Sequence, residues 1–286
     1  MTTTTTTTTA GGPRVATASG AAIPAIGYGT GGMRSTTVES ILAALRSGYR
    51  HIDTARKYGT EESVGEALRQ SALARDEVFV TTKVSHEDLA PVDFERSTTE
   101  SLTALGIDQA DLLMVHWPLP TMDLAATIGA LAQMKRRGFT RHIGVANFNL
   151  TLLEEAIRLS PEPLTALQAE FHPLLDQSRM IAACRRHGLA FISYCPLARG
   201  RILEEPSLLH IAAAHGKSVP QIALRWLIDH EGVCAIPSSS SVERVAANID
   251  IFDFALTADE RARIDGVAKP DGRLVNPKGR APDWAA

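Results

Sequence analysis

Arg50-His51-Ile52-Asp53 is a short run that ends on an acid, and Val78-Phe79-Val80-Thr81-Thr82-Lys83 is another that ends on a base. Between them, Glu61–Arg75 sets Val64 and Leu68 one helical turn apart, the spacing of an amphipathic helix. Strand, helix and strand in so short a span make a βα unit feeding its parallel neighbour. Upstream, Ile23–Gly29 reads as a strand, and Thr36-Thr37-Val38-Glu39 resembles a capping box. The helix it opens carries Ile41, Leu42 and Leu45 on one face. Downstream, strands are expected at Asp111–His116, Arg141–Ala146, Thr165–Ala169, Ala190–Tyr194 and Val233–Ile236. Helices are expected over 92–105, 123–137, 151–159, 177–187, 207–230 (as one helix or two) and 242–249.

Eight such units with short connections are the arithmetic of an α/β (β/α)8 TIM barrel. The rival is a doubly wound open sheet, which eight regular units and the lack of an early Gly-x-Gly-x-x-Gly disfavour. No Pro/Gly/Ser-rich linker divides the chain, so residues 21–286 read as one domain. Ahead of it, the Thr-rich run Thr2–Thr9 opens a low-complexity stretch, and residues 1–20 are expected to be a disordered tail.

Bulk chemistry excludes several functions. Of 286 residues, 44% are apolar and 21% charged, with a net charge of −3, so there is no basic footprint for nucleic acid or an anionic membrane. No apolar run approaches a membrane span, and no signal-peptide pattern precedes the domain. Cys184, Cys195 and Cys234 are odd in number and widely spaced. They offer no disulfide framework or zinc spacing and fit a reducing cytoplasm. No long apolar helix face advertises an interface, so a monomer is expected.

The polar residues fall in a pattern. Asp53, Lys83, His116 and Asn147 close the second to fifth strands, Gln168 lies at the end of the sixth, and Ser238 and Ser239 follow the eighth. In a barrel these ends open onto one face, where barrel enzymes keep their chemistry. One polar strand end is ordinarily a turn former. Six or seven on one rim must pair or work, because burying them otherwise costs stability.

Asp53-Thr54-Ala55-Arg56-Lys57-Tyr58-Gly59 resembles the signature of the aldo-keto reductases, in which a Tyr follows the strand-two Asp by five residues. The resemblance runs from Gly27-Tyr28-Gly29-Thr30 through Thr82-Lys83, His116-Trp117-Pro118, Gly144-Val145-Ala146-Asn147-Phe148 and Ile236-Pro237-Ser238-Ser239. The closing stretch, Arg273-Leu274-Val275-Asn276-Pro277 through Ala281-Pro282-Asp283-Trp284, is most similar to the bacterial 2,5-diketo-D-gluconate reductases.

The resemblance implies an NADPH-dependent oxidoreductase that reduces small aldehydes and ketones, with NADH a weaker cofactor. It implies Tyr58 as proton donor, Lys83 as the cation that lowers its pKa, Asp53 as partner of Lys83, and His116 as the group orienting the carbonyl oxygen. For the cofactor it implies Thr30, Asn147, Gln168, Tyr194, Leu197, Ser238, Ser239, Arg244 and Asn248. Among these, Asn147 and Gln168 take the nicotinamide carboxamide, Tyr194 stacks on the ring, and Arg244 meets the 2′-phosphate with its planar fork of donors. No metal is implied.

Two departures stand out. Ser238 and Ala247 occupy positions where many members carry Lys and Glu, which loosens the expected preference for NADPH. Gly31, followed by Gly32, stands where an aromatic usually walls the pocket, so a wider mouth is expected with Trp117 as the main aromatic wall. The stretch from Pro118 to Leu124 is short, leaving little loop to close over the substrate. The basic tail residues Arg273, Lys278 and Arg280 would suit an acidic substrate, but solvated charges are the expectation.

Two other classes compete. His51, Asp53, His116 and His172 lie near strand ends and could belong to a metal-dependent barrel hydrolase. A catalytically idle, cofactor-sensing barrel is the other.

Overall fold

The computed structural model describes residues 12–31 and 37–285. A hairpin of β1 (Arg14–Ala16) and β2 (Ala22–Pro24) precedes a parallel sheet of eight strands in sequential order. These are β3 (Tyr28–Gly29), β4 (His51–Asp53), β5 (Phe79–Val84), β6 (Ala110–Val115), β7 (Thr140–Ala146), β8 (Leu164–Glu170), β9 (Ala190–Tyr194) and β10 (Val233–Ala235). The sheet closes on itself. Ile26 bridges Ala235, the Gly27 N–H donates to the Ala235 carbonyl, and the Gly29 N–H to the Pro237 carbonyl. The fold is the expected (β/α)8 barrel.

Helices return the chain between strands: α1 (Val38–Arg46), α2 (Glu61–Gln70), α3 (Pro91–Leu105), α4 (Leu124–Arg136), α5 (Leu150–Leu159) and α6 (Ser178–Arg186). After β9 the single or double helix expected over 207–230 is two, α7 (Pro206–His215) and α8 (Val219–Asp229), divided at Gly216 with φ +61°. Next come α9 (Val242–Ile249), α10 (Ala258–Asp265) and a tail without regular structure.

Strand alternation sorts the side chains. Ile52, Val80, Leu113, Val145, Leu167 and Phe191 belong to the large cluster under the helices. Phe79, Leu112, Met114, Ala166, Ile192 and Cys234 form a second, smaller cluster inside the barrel. Continuing the inward series toward the strand ends replaces apolar residues by polar ones. Phe79 leads to Thr81 and Lys83, Met114 to His116, Ala166 to Gln168 and Glu170, and Ile192 to Tyr194.

Three expectations are corrected. The strand Ile23–Gly29 is broken in two. Pro24 lacks a donor and ends the hairpin strand, and a separate short strand, Tyr28–Gly29, joins the barrel sheet after the single bridge at Ile26. The tail expected over residues 1–20 is ordered in its last part. Val15 packs on the barrel-interior cluster, the Ser19 and Thr165 hydroxyls lie 2.7 Å apart, and the Ala18 N–H donates to the Gly188 carbonyl. The hairpin thus covers the N-terminal end of the barrel; residues 1–11 lie outside the described residues. Finally, α1 is capped by Thr37 with Ser40 as its capping-box partner, one residue on from the expected pairing of Thr36 with Glu39, and Thr36 lies outside the described residues.

Candidate active site

Three consecutive strands, β4 to β6, and the turn after β4 bring the predicted centre together. Lys83 and Asp53 are buried, at 0% and 2% exposure. Lys83 Nζ donates to Asp53 Oδ1 at 2.5 Å and to the Thr54 carbonyl at 2.8 Å. It also lies 5.2 Å from the centre of the Tyr58 ring. The other Asp53 oxygen accepts from Gln168 Nε2 at 2.8 Å. Every strong group of the pair is therefore matched, as a buried ion pair requires.

Tyr58 ends a 3-10 turn, Arg56–Tyr58, closed by Gly59 in the left-handed region at φ +67°. Two hydroxyl contacts brace this turn from behind, Thr54 to Thr60 and Thr30 to Thr60, each 2.9 Å. The phenol oxygen lies 3.3 Å from His116 Nε2, with the two rings edge to face. One carbonyl oxygen in front of them can meet both groups.

Burial raises the Tyr58 phenol above its ordinary range, and Lys83 pulls it down without reversing the shift. The expectation that Lys83 sets a lowered pKa thus holds for the sign of its own effect, while burial is larger. Burial opposes the charge on Lys83, but Asp53 and Tyr58 outweigh it and keep the ammonium protonated. Burial, then Lys83, His86 and Arg280, holds His116 well below the usual imidazole range, so it is neutral.

A cavity of about 720 Å³ opens in front of this group. Asn147, Gln168 and Tyr194 line it, as do Trp117, Ser238, Val275 and Arg280. Asn147 sits at φ +63°; its Nδ2 donates to the His116 carbonyl at 2.8 Å and its Oδ1 accepts the Tyr194 hydroxyl at 2.7 Å. The remaining predicted positions are spread outward. Thr30 is buried, with its N–H on the Asp53 carbonyl. Leu197 is half-buried before the turn Ala198–Glu204. Ser238 and Arg244 are exposed, and Ser239 and Asn248 are buried near or on α9.

Gly31 does more than vacate a wall. A Cβ there would lie 2.6 Å from Tyr58 Cζ, so the bare backbone is the surface on which the tyrosine ring rests. Gly32 lies outside the described residues. The mouth is walled from elsewhere, because Trp284 of the tail packs edge to face on Trp117 at 6.4 Å. Nor is Arg273 a solvated charge: it stacks 3.7 Å over the Trp284 ring and lies 3.8 Å from Glu170.

Sequence reasoning missed Glu170, whose signal is its place two residues beyond Gln168 on the same strand face. It also missed His86 and Val275, which reach the cavity from loops. The residues named for a hydrolase metal do not converge. His51 pairs with Thr81 and His172 with Glu170, and among the described residues no three candidate ligands gather.

The profile of the Aldo/keto reductase family matches residues 25–269. The chain belongs to the aldo-keto reductase family. It is 42% identical to a crystal structure of a proposed 2,5-diketo-D-gluconic acid reductase B, with a TM-score of 0.91 over 96% of this chain and 98% of that one. It is 37% identical to a methylglyoxal reductase, DkgB, of Escherichia coli O157:H7, over 92% of this chain and 99% of the relative. It is 32% identical to an aldo-keto reductase of Bombyx mori solved in complex with NADP, with a TM-score of 0.85 over 93% and 95% of the two chains. As a member of this family the chain is an oxidoreductase that reduces carbonyl groups.

Proposed function

We propose that the protein reduces small aldehydes and ketones to alcohols with NADPH, Tyr58 giving the proton. The observation that carries this is the 3.3 Å approach of the Tyr58 hydroxyl and His116 Nε2 above a buried Lys83–Asp53 pair. The substrate oxygen accepts hydrogen bonds from both, which polarises the carbonyl and fixes its angle. As negative charge develops on that oxygen, the phenol proton moves to it, and Lys83 steadies the phenolate left behind. Asp53 keeps Lys83 aimed and balances its burial, and neutral His116 orients without trapping the proton.

The residues present fit a nicotinamide dinucleotide. Asn147 Oδ1 and Gln168 Oε1 are amide acceptors lining the cavity, and the Tyr194 ring offers a flat face beside them. At the other end the N-terminus of α9, capped by Ser241, faces the chain from Ser238 and Ser239 and carries Arg244, a donor set suited to a phosphate. Thr30, Leu197 and Asn248 complete the binding face. When bound, this cofactor supplies the hydride.

The substrate class follows from the mouth. Arg280 reaches the cavity and forms no ion pair among the described residues, so a sugar-derived oxo acid of the kind named for the first structural relative fits, as do small α-oxoaldehydes. The large apolar side chains left exposed, such as Val92, Leu203 and Phe252, stand on separate elements, which supports a monomer. Free thiols at Cys184, Cys195 and Cys234 support a reducing cytoplasm. Among the described residues no helix is long and apolar enough to cross a membrane. The hairpin and barrel form one domain.

The test is NADPH and NADH oxidation scanned across a small carbonyl panel. NADPH oxidation that depends on carbonyl and a higher kcat/KM with NADPH are expected. Activity with no carbonyl would sink the proposal, and equal efficiency with both cofactors would remove the phosphate role of Arg244.

A further inference from the structure

The tail beyond α10 is held at one buried carboxylate. Glu170, the last residue of β8, is fully buried. Its Oε1 accepts the Leu274 N–H at 2.7 Å, and its Oε2 accepts the Val275 N–H at 2.9 Å. His172 Nε2 lies 3.0 Å from Oε1, as the donor to a carboxylate, and Arg273 Nη1 lies 3.8 Å from Oε2. Two successive backbone donors thus meet the two oxygens of one acid, an arrangement that needs an acceptor with no hydrogen of its own. Burial would raise this carboxyl, yet the hydrogen bonds from His172, Leu274 and Val275 hold it below the ordinary glutamate range.

A second fixed point lies just before it. A Cβ on Gly272 would fall 1.8 Å from the Leu174 carbonyl oxygen, so the tail backbone lies directly on the connection after β8. From these two points the chain delivers Val275 and Arg280 to the cavity and Trp284 to Trp117. Asn149 Nδ2 ties the far end through the Asp283 carbonyl at 2.8 Å.

We infer that Glu170 is a positioning residue that sets the C-terminal strap as the substrate wall and so fixes carbonyl affinity without touching the substrate. The effect is confined to that wall because Glu170 points to the tail, whereas Gln168 on the same strand face points to Asp53. The inference rests on the cavity being the carbonyl site.

The test is Glu170→Gln in the full chain, alone and combined with Gly272→Ala. The amide keeps the shape of the acid but presents a donor to Leu274 or Val275, so one of the two bonds becomes a repulsion. The carbonyl KM is expected to rise about tenfold with kcat and the NADPH KM held within about twofold. Trypsin should cut sooner at Lys278 and Arg280, a readout independent of turnover. Gly272→Ala should raise the same KM, and the double variant should add little, since both release one strap. An unchanged carbonyl KM or unaltered cleavage in Glu170→Gln would overturn the inference, as would fully additive losses in the double variant. A wild-type protein that reduces no carbonyl would instead strike the functional reading, and the proteolysis would still report on the strap.

Discussion

His51 and Asp53 are two residues apart on the same face of β4, yet the barrel treats them oppositely. His51 is buried at the lower level against Gly27 and Phe79, with Nε2 3.0 Å from the Thr81 hydroxyl and no partner for Nδ1. Burial lowers its pKa to about 4, so the ring is neutral. At the upper level Lys83 is just as buried but keeps its charge, because Asp53 and the Thr54 carbonyl receive it. The interior therefore admits ionisable groups at both levels and retains charge only where partners converge. That convergence, rather than the presence of polar residues, separates the reactive end from the structural one.

Four substitutions or titrations probe the contrast. Tyr58→Phe removes the proton donor and keeps the ring on Gly31. The kcat for carbonyl reduction should fall about a thousandfold while the thermal midpoint stays put; an active variant would move the acid elsewhere. Lys83→Met strands Asp53 as a lone buried charge, and urea unfolding should show a loss of about 3–5 kcal/mol together with most of the activity. If stability were unaffected, Asp53 would have to be protonated or solvated.

The lower level is tested by pH. The folded pKa of His51 lies below its unfolded value, so its contribution is complete above about pH 6.5 and is lost as pH falls toward 4. Roughly 3 kcal/mol should disappear across that window, and denaturant melts of His51→Asn should lack this component. Equal pH slopes in the two proteins would mean that His51 is solvated. The smallest effect is expected at the exposed cofactor end, where Arg244→Ala should raise the NADPH KM about tenfold and leave the NADH KM unchanged.

What could be read in the sequence follows the same division. The barrel was legible because inward residues alternate, and Asp53, Lys83, His116 and Gln168 end that alternation in polar groups. The hairpin was not, because Arg14–Ala16 adjoins a Thr-rich run and its pairing with Ala22–Pro24 depends on the Ser19-Gly20 turn. The balance of effects on Tyr58 was also hidden, since burial is a property of the closed barrel and not of the motif. Glu170 lies one residue beyond the strand expected at Thr165–Ala169, and its partners, Leu274 and Val275, are about a hundred residues away and contribute only backbone. Nothing in their side chains marks them as its ligands.

The hairpin has a practical corollary for handling the protein. It seals the barrel at the end opposite Tyr58, so Gly12 lies on the far side from the chemistry. A tag fused after Trp284 would be tethered to the residue that stacks on Trp117. Preparations tagged at the two ends should therefore not be treated as interchangeable in kinetic work, and the front-tagged form is the one to measure.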